Sequence, residues 1–399
     1  MSPTPDTGPD VPPSATLDVQ DILSWLMREG PRLASPAALL ERYSAKLREA
    51  GLQVDRSTLG APVLHPVARS SFVFWELETG SEQRWFIYSP EQLKLLEASP
   101  IQRIYTQGEA TSLRLDLPEE RDRFPIGEDL WSEGYHQYEA LPLEFSDGTF
   151  KVLTLATKSP AGFDTGQLEL VRTTLPALTL VFEGHIARNT AKTLMETYVG
   201  TRAGLRVLNG EIARGDGSPI DAVIWFSDLR GFTSLAQSRG EAELLQLLNS
   251  YFGAVTDAIE AQSGEVLKFI GDAVLAIFPF EGDLHSAVHR AETAALQLLQ
   301  STSLESGLSF GIALHPGRVF YGNIGGGTRL DFTVIGASVN LASRIEGLCA
   351  LLDHPLLASA DFVNASSLTW LSKGRHRLKG VAEPVEVFAP VQPTLRTAT

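Results

Sequence analysis

The chain has 399 residues and a formal net charge of −15, with 43 % hydrophobic and 20 % charged residues. That length allows two or three domains with separate cores, and the composition is that of a globular protein. The acidic balance excludes non-specific binding to nucleic acid or to an anionic membrane surface, which need basic surface. No apolar run approaches the ~20 residues of a membrane helix.

Residues 1–16 carry five prolines among Ser, Thr and Asp and are expected to form a disordered leader. They contain no basic stretch followed by an apolar one, so no secretory signal is expected. The single cysteine, Cys349, excludes an internal disulfide and a cysteine zinc site, and its setting GLCALL reads as a buried small hydrophobe. These features point to a cytoplasmic location.

Residues 17–163 open with helical patterns at Asp21–Met27 and Pro36–Ala50. Ser71–Leu77 and Arg84–Ser89 flank ETGS as a hairpin, and Tyr138–Phe145 and Phe150–Thr157 flank Ser146-Asp147-Gly148 as another. This order describes an α+β domain of sensor type that resembles a GAF or PAS fold. It carries no ligand motif, so the small-molecule or protein stimulus is unnamed. From Asp164 to Val199 the pattern is helical. Leu168, Val171, Leu175, Leu178 and Phe182 follow three–four spacing, which suits a coiled-coil seam or a helix packed within one domain. Pro176 predicts a kink or break there. The helical stretch and the segment to Gly217 read as a linker and coupling region, 164–217.

Beyond it, 218–390 reads as a second domain and 391–399 as a tail. Asp221–Ser227 is a nearly all-apolar central strand. Leu244, Leu248, Tyr251, Phe252, Val255 and Ile259 form a helical stripe, and Leu308, Phe310, Ile312 and Leu314 alternate as in a half-buried strand.

Three constellations in this domain carry chemistry. In FSDLRGFT, Asp228 ends an apolar strand beside a helix start, where it can cap the helix or hold a hard cation. In EVLKFIGDAVLAIF, two apolar strands meet at Gly271-Asp272, a tight turn that presents Asp272. Lys268 lies inside the first of these strands and must either find a partner or snorkel to the sheet edge. In TVIGASVNLASR, a strand from Thr333 passes through Gly336 into a helix on which Asn340 and Arg344, four apart, share one face. Asp228 and Asp272 together supply oxygen ligands suited to Mg²⁺ or Mn²⁺, with substrate phosphates completing the shell.

In order and spacing, FSDLRGFT, EVLKFIGD and TVIGASVNLASR resemble the motifs of class III adenylyl and guanylyl cyclases, over about 170 residues. The resemblance implies a ferredoxin-like, palm-type βαββαβ domain that converts ATP to cyclic AMP and pyrophosphate by two-metal chemistry. It assigns Asp228 and Asp272 to two Mg²⁺ or Mn²⁺ ions, Lys268 and Thr333 to the purine, Asn340 to the ribose and Arg344 to the transition state. Phe232 and Thr233 adjoin the substrate, and Lys379 in RLKG matches the lysine for the terminal phosphates. In that family the site forms between two such domains, which implies a homodimer here. A lysine can only donate, which suits adenine N1, while the Thr333 hydroxyl can accept from N6. A guanylate cyclase and a catalytically silent nucleotide-binding regulator are the alternatives. The GG(D/E)EF turn of diguanylate cyclases is absent, the corresponding hairpin reading IGDAV.

Overall fold

A computed structural model describes residues 19–87, 89–301, 308–327 and 329–391, so the expected leader and nearly all of the tail lie outside the described residues. The chain divides into two compact units, up to Leu194 and from Met195.

The first unit begins with helices α1 (Val19–Arg28) and α2 (Pro36–Glu49), the latter capped by Ser35, whose side chain accepts from the Ala38 N–H. Strands β1 (Arg56–Pro62), β2 (Ala68–Glu76) and β3 (Gly80–Ile87) follow, then α3 (Pro90–Glu97), α4 (Pro100–Gln107), β4 (Thr111–Arg114), the short turn α5 (Pro118–Arg121) and α6 (Pro125–Ser132). Strands β5 (Gln137–Glu144) and β6 (Phe150–Thr157) complete an antiparallel six-stranded sheet of order β3-β2-β1-β6-β5-β4. Both expected hairpins form. Strand alternation gives the sheet two apolar faces. Leu59, Val73, Leu153 and Leu155 join Trp25, Leu40 and Tyr43 on one side. Phe72, Tyr138, Val152 and Ala156 join Ile104 and Leu130 on the other.

Helix α7 (Thr165–Val199) is continuous for 35 residues, with Pro176 inside it and no break. Pro176 leaves the Arg172 carbonyl without its helical donor, but both residues lie on the exposed side, where water can satisfy that oxygen. The three–four stripe is buried within this unit's own core: Val171, Leu178 and Phe182 are at most 2 % exposed, with Leu168 and Leu175 packed beside them. Of the two readings of that stripe, the packing helix is the one observed.

The second unit contains α8 (Thr201–Leu208), β7 (Gly217–Leu229), α9 (Phe232–Ser238), α10 (Glu241–Ala261), β8 (Glu265–Ile270), β9 (Ala273–Phe280) and α11 (Leu284–Leu299). Then come β10 (Phe310–Gly326), β11 (Arg329–Ile335), α12 (Ala337–Glu346) and the turn α13 (Leu348–Leu351). It finishes with β12 (Leu356–Ser359), the turn α14 (Ala360–Val363), β13 (Trp370–His376) and β14 (Val385–Pro390). The sheet order is β13-β14-β12-β10-β7-β9-β8, with β11 paired to the far end of β10. Within it, β7, β8, β9 and β10 with α10 and α11 form the expected βαββαβ core. Helices α10 and α11 cover one face through Tyr251, Val255, Ala291 and Ala295 against Trp225 and Phe278. On the other face Ala203 of α8 and Ala342 of α12 pack with Ile224, Ile277 and Val334.

Strand β10 is not half-buried as its alternation suggests. Phe310 through Pro316 are all buried, because the partner cluster around Ala313 and Cys349 covers the second face. The close approach there depends on Gly311, at which a Cβ would stand 2.5 Å from the Glu346 carboxylate and 2.7 Å from the Cys349 Cβ. Cys349 is fully buried, donates to the Ile312 carbonyl (3.4 Å), and has its thiol pushed up to about 12 by burial and then by Glu346. Among the described residues no helix is long and apolar enough to cross a membrane.

Candidate active site

Two antiparallel strands bring the candidate metal carboxylates together. Ser227 on β7 opposes Val274 on β9, so one residue further on Asp228 comes level with the start of β9 and the turn that carries Asp272. That turn has two residues, with Ile270 opposite Ala273, and Gly271 takes φ +66°, which a side chain would resist. The Asp228 and Asp272 carboxyls lie within hydrogen-bonding reach of each other. Two carboxylates can share such a contact only if one holds a proton. Burial, reinforced by Asp272, pushes the Asp228 carboxyl from 3.8 up to about 6. Its Oδ1 is buried with no hydrogen-bond partner among the described residues. Asp228 does not cap α9, whose N-cap position is Gly231 with no side-chain bond. A pair of acidic oxygens, one of them orphaned, fits a divalent cation that draws its other ligands from substrate phosphates and water. No group of three or more His, Cys, Asp or Glu side chains among the described residues forms a protein-only metal cage.

Glu346, which the motifs did not single out, lies close enough to feel this pair. Burial raises its carboxyl to about 7, with Asp228 and Asp272 adding to the rise and Arg230 opposing it. Arg230 itself is engaged elsewhere, donating to the carbonyls of Cys349 (2.8 Å) and His354 (2.7 Å) and pairing with Asp353 (3.3 Å).

A second group assembles around Lys268. The β8–β9 register shifts between Val266 and Lys268, so Leu267 and Lys268 both face Leu275. This bulge turns Lys268 away from the α10 side of the sheet, the side a regular strand would give it, and toward β11. There the Lys268 ammonium donates to the Asp331 carboxylate. Asp331 and Thr333 alternate on one face of β11. Thr333 is 6 % exposed and its Oγ1 is buried without a partner. Lys268 is thus joined to β11 two residues before Thr333. Sequence reasoning noted that Lys268 needed a partner; Asp331, two residues before Thr333, was within reach of that reasoning but was not identified.

Asn340 and Arg344 share the outward face of α12, while Ala342 and Ile345 face the core. Both are exposed, and their side chains make no hydrogen bond or ion pair among the described residues. Phe232 packs partly against the α10 core and Thr233 is exposed at the start of α9. Lys379 is exposed between β13 and β14, and no contact links it to the aspartates or to Lys268.

The arrangement is an antiparallel palm with paired carboxylates at one strand edge and a donor–acceptor pair beside it, a class of domain suited to nucleotide phosphate chemistry. Residues 218–353 match the adenylate and guanylate cyclase catalytic domain family. Residues 218–353 are a class III nucleotidyl cyclase catalytic domain. The chain is 32 % identical over 180 residues to an adenylate cyclase of Anabaena cylindrica, covering 41 % of this chain and 36 % of that protein. It is 38 % identical over 172 residues to an uncharacterised protein of Mycobacterium bovis, covering 42 % and 32 %. It therefore spans about a third of the length of these relatives. The crystal structure of the adenylyl cyclase CyaB from P. aeruginosa is also similar, at 26 % identity and a TM-score of 0.37, covering 44 % of this chain and 95 % of that one.

The carboxylate cluster predicts how stability depends on pH. Asp228 (3.8 to about 6) and Glu346 (4.5 to about 7) hold protons more tightly folded than unfolded. Their stabilising contribution is therefore full below about pH 4 and lost as pH rises through 6 to 7 in cation-free protein. Asp228→Asn should flatten that decline in a thermal melt. At pH 7.5, Mn²⁺ should raise the Tm of the wild type by about 2–4 °C per kcal/mol of binding linkage but leave Asp272→Ala unmoved. Equal shifts in both proteins would disprove the carboxylate pair as a cation site.

Proposed function

We infer that the protein is an adenylate cyclase that converts ATP to 3′,5′-cyclic AMP and pyrophosphate at sites shared by two copies of the chain. The observation that carries this reading is the Asp228–Asp272 pair, with its orphaned oxygen, at the strand edge of a class III cyclase domain. Asp228 and Asp272 would hold two Mg²⁺ or Mn²⁺ ions, which when bound acidify the ribose 3′-hydroxyl and offset charge on the phosphates.

The chain's own side chains do the rest. Lys268, held by Asp331, donates to adenine N1, and the free Thr333 Oγ1 accepts from N6. Guanine presents an N1–H donor where adenine presents an acceptor and leaves the Lys268 ammonium only O6, a poorer match that disfavours it. Asn340 orients the ribose, and Arg344 meets negative charge growing on the α-phosphate as the 3′-oxygen attacks and pyrophosphate departs. Phe232 and Thr233 at the start of α9 adjoin the triphosphate, and Lys379 would reach its terminal phosphates.

The unpaired, outward-facing Asn340 and Arg344 support a homodimer in which each copy lends these residues to the partner's aspartates. The N-terminal unit is the regulatory part in this reading, and the location is cytoplasmic. The coupling segment has a structural anchor: Glu265 on β8, three residues before Lys268, accepts from the Ala203 N–H of α8 (3.3 Å) and from the Tyr321 hydroxyl (2.7 Å).

With Mn²⁺ and ATP the purified protein should form cyclic AMP, while Asp272→Ala and Arg344→Ala should each lose about 100-fold or more in kcat. Mixing those two inactive variants should restore about a quarter of wild-type activity, since half the dimers are mixed and each holds one intact site. No recovery, in variants that still dimerise, would refute the shared site. Asp331→Ala should raise the KM for ATP about 3- to 10-fold and narrow the preference over GTP, with kcat nearly unchanged. A kcat loss at constant KM would reject the positioning role of Asp331. Removing residues 1–194 should change turnover several-fold; identical rates would end the regulatory reading.

A further inference from the structure

The N-terminal unit has a packed core on one face of its sheet and an incompletely filled one on the other. Between the second face and helices α3, α4 and α6 lies a cavity of about 280 Å³. That is nearly twice the ~150 Å³ of a cavity that takes one benzene ring. It opens to solvent on one side, where Ile87, Leu93 and Leu95 of its lining are exposed, and its deeper wall forfeits dispersion contacts while it is empty of partner atoms.

Its walls define what would fill it. Phe72 and Phe74 on β2 and Phe86 on β3 present aromatic surface, with the Phe72 and Phe86 rings edge-to-face at 5.2 Å. Aliphatic groups from Leu93, Leu96 and Ile126 oppose them. Such walls favour a flat ring system, which stacks at low conformational cost. The polar groups are few. Thr58, Tyr138 and Thr154 are at most 6 % exposed on the sheet face, and Ser70, Ser89 and Ser99 complete the hydroxyl groups of the lining. Gln92 on α3 also lines the cavity, and its Oε1 is buried with no hydrogen-bond partner among the described residues. An amide oxygen so placed is costly unless something donates to it.

The lining's charges are at the rim or already committed. Arg69 and Asp129 are exposed, one of each sign, and Arg56 is paired with Glu133 (3.0 Å) and Glu76 (3.6 Å). An ionised ligand would lose its hydration against an uncharged inner wall.

We propose that this cavity is a binding site for a neutral, flat, two-ring aromatic molecule carrying an N–H or O–H donor that pairs with Gln92. Binding follows from the cavity alone; that occupancy then alters nucleotide turnover rests on the regulatory reading above. A direct titration keeps the two separable.

The test is calorimetric titration of the full-length protein with indole, which has the donor, and with benzofuran, its isostere without one. Indole should bind saturably, one per chain, roughly five-fold tighter than benzofuran. Indole-3-acetate, which adds a carboxylate, should bind more weakly than indole. Ala156→Phe, which fills the cavity from β6, should abolish binding of all three. Gln92→Leu, on a peripheral helix, should erase the difference between indole and benzofuran, and it decides the matter if Ala156→Phe fails to fold. Absence of saturable heat up to about 1 mM indole would overturn the proposal. So would tighter binding of indole-3-acetate, or an unchanged indole preference in Gln92→Leu.

Discussion

The second unit is organised around a repulsion. Two carboxyl groups stand within hydrogen-bonding reach of one another because β7 and β9 are paired at fixed register and a two-residue turn leaves Asp272 little freedom to move off. The apolar mass that fixes that register includes Trp225, Phe278 and Tyr251, all fully buried, and each such side chain contributes on the order of 1.5–3 kcal/mol. Rigid strands thus hold in place a contact that the two groups would relax in solution. The closeness raises the Asp228 carboxyl and leaves its Oδ1 unsatisfied among the described residues.

The other recognition elements relate to this edge differently. Lys268, Asp331 and Thr333 are gathered within one chain by β8 and β11. Asn340 and Arg344 are gathered by a helix but turned outward. In the dimeric reading, a chain by itself is complete in residues and incomplete in geometry.

The motif residues were legible because their local signals are strong: Gly271-Asp272 between apolar strands, and i,i+4 spacing of Asn340 and Arg344 on a helix with an apolar back. The βαββαβ order followed from the same periodicities. What escaped depends on contacts between residues distant in the chain. The stripe on α7 was compatible with two partners, and only the sheet of the first unit decides between them. Pro176 did not end the helix, because its cost depends on whether the freed carbonyl faces solvent, which a sequence does not record. The burial of both faces of β10 needed the position of α13, and Glu346 came to the aspartates through the fold of α12 against β10. The cavity of the first unit was invisible for a related reason: its apolar lining carries no motif, and the missing volume belongs to no residue.

The bulge at Leu267 has a mechanical consequence. A bulged residue gives up its place in the ladder, so the strand carries a compliant joint immediately before Lys268 while β9, on the other side, remains continuously paired to β7. Upstream of the joint, Glu265 is tied to α8 and to Tyr321. A pull on α8 would thus reach Leu267 first, the point where the strand is least bound to its neighbour and just before Lys268.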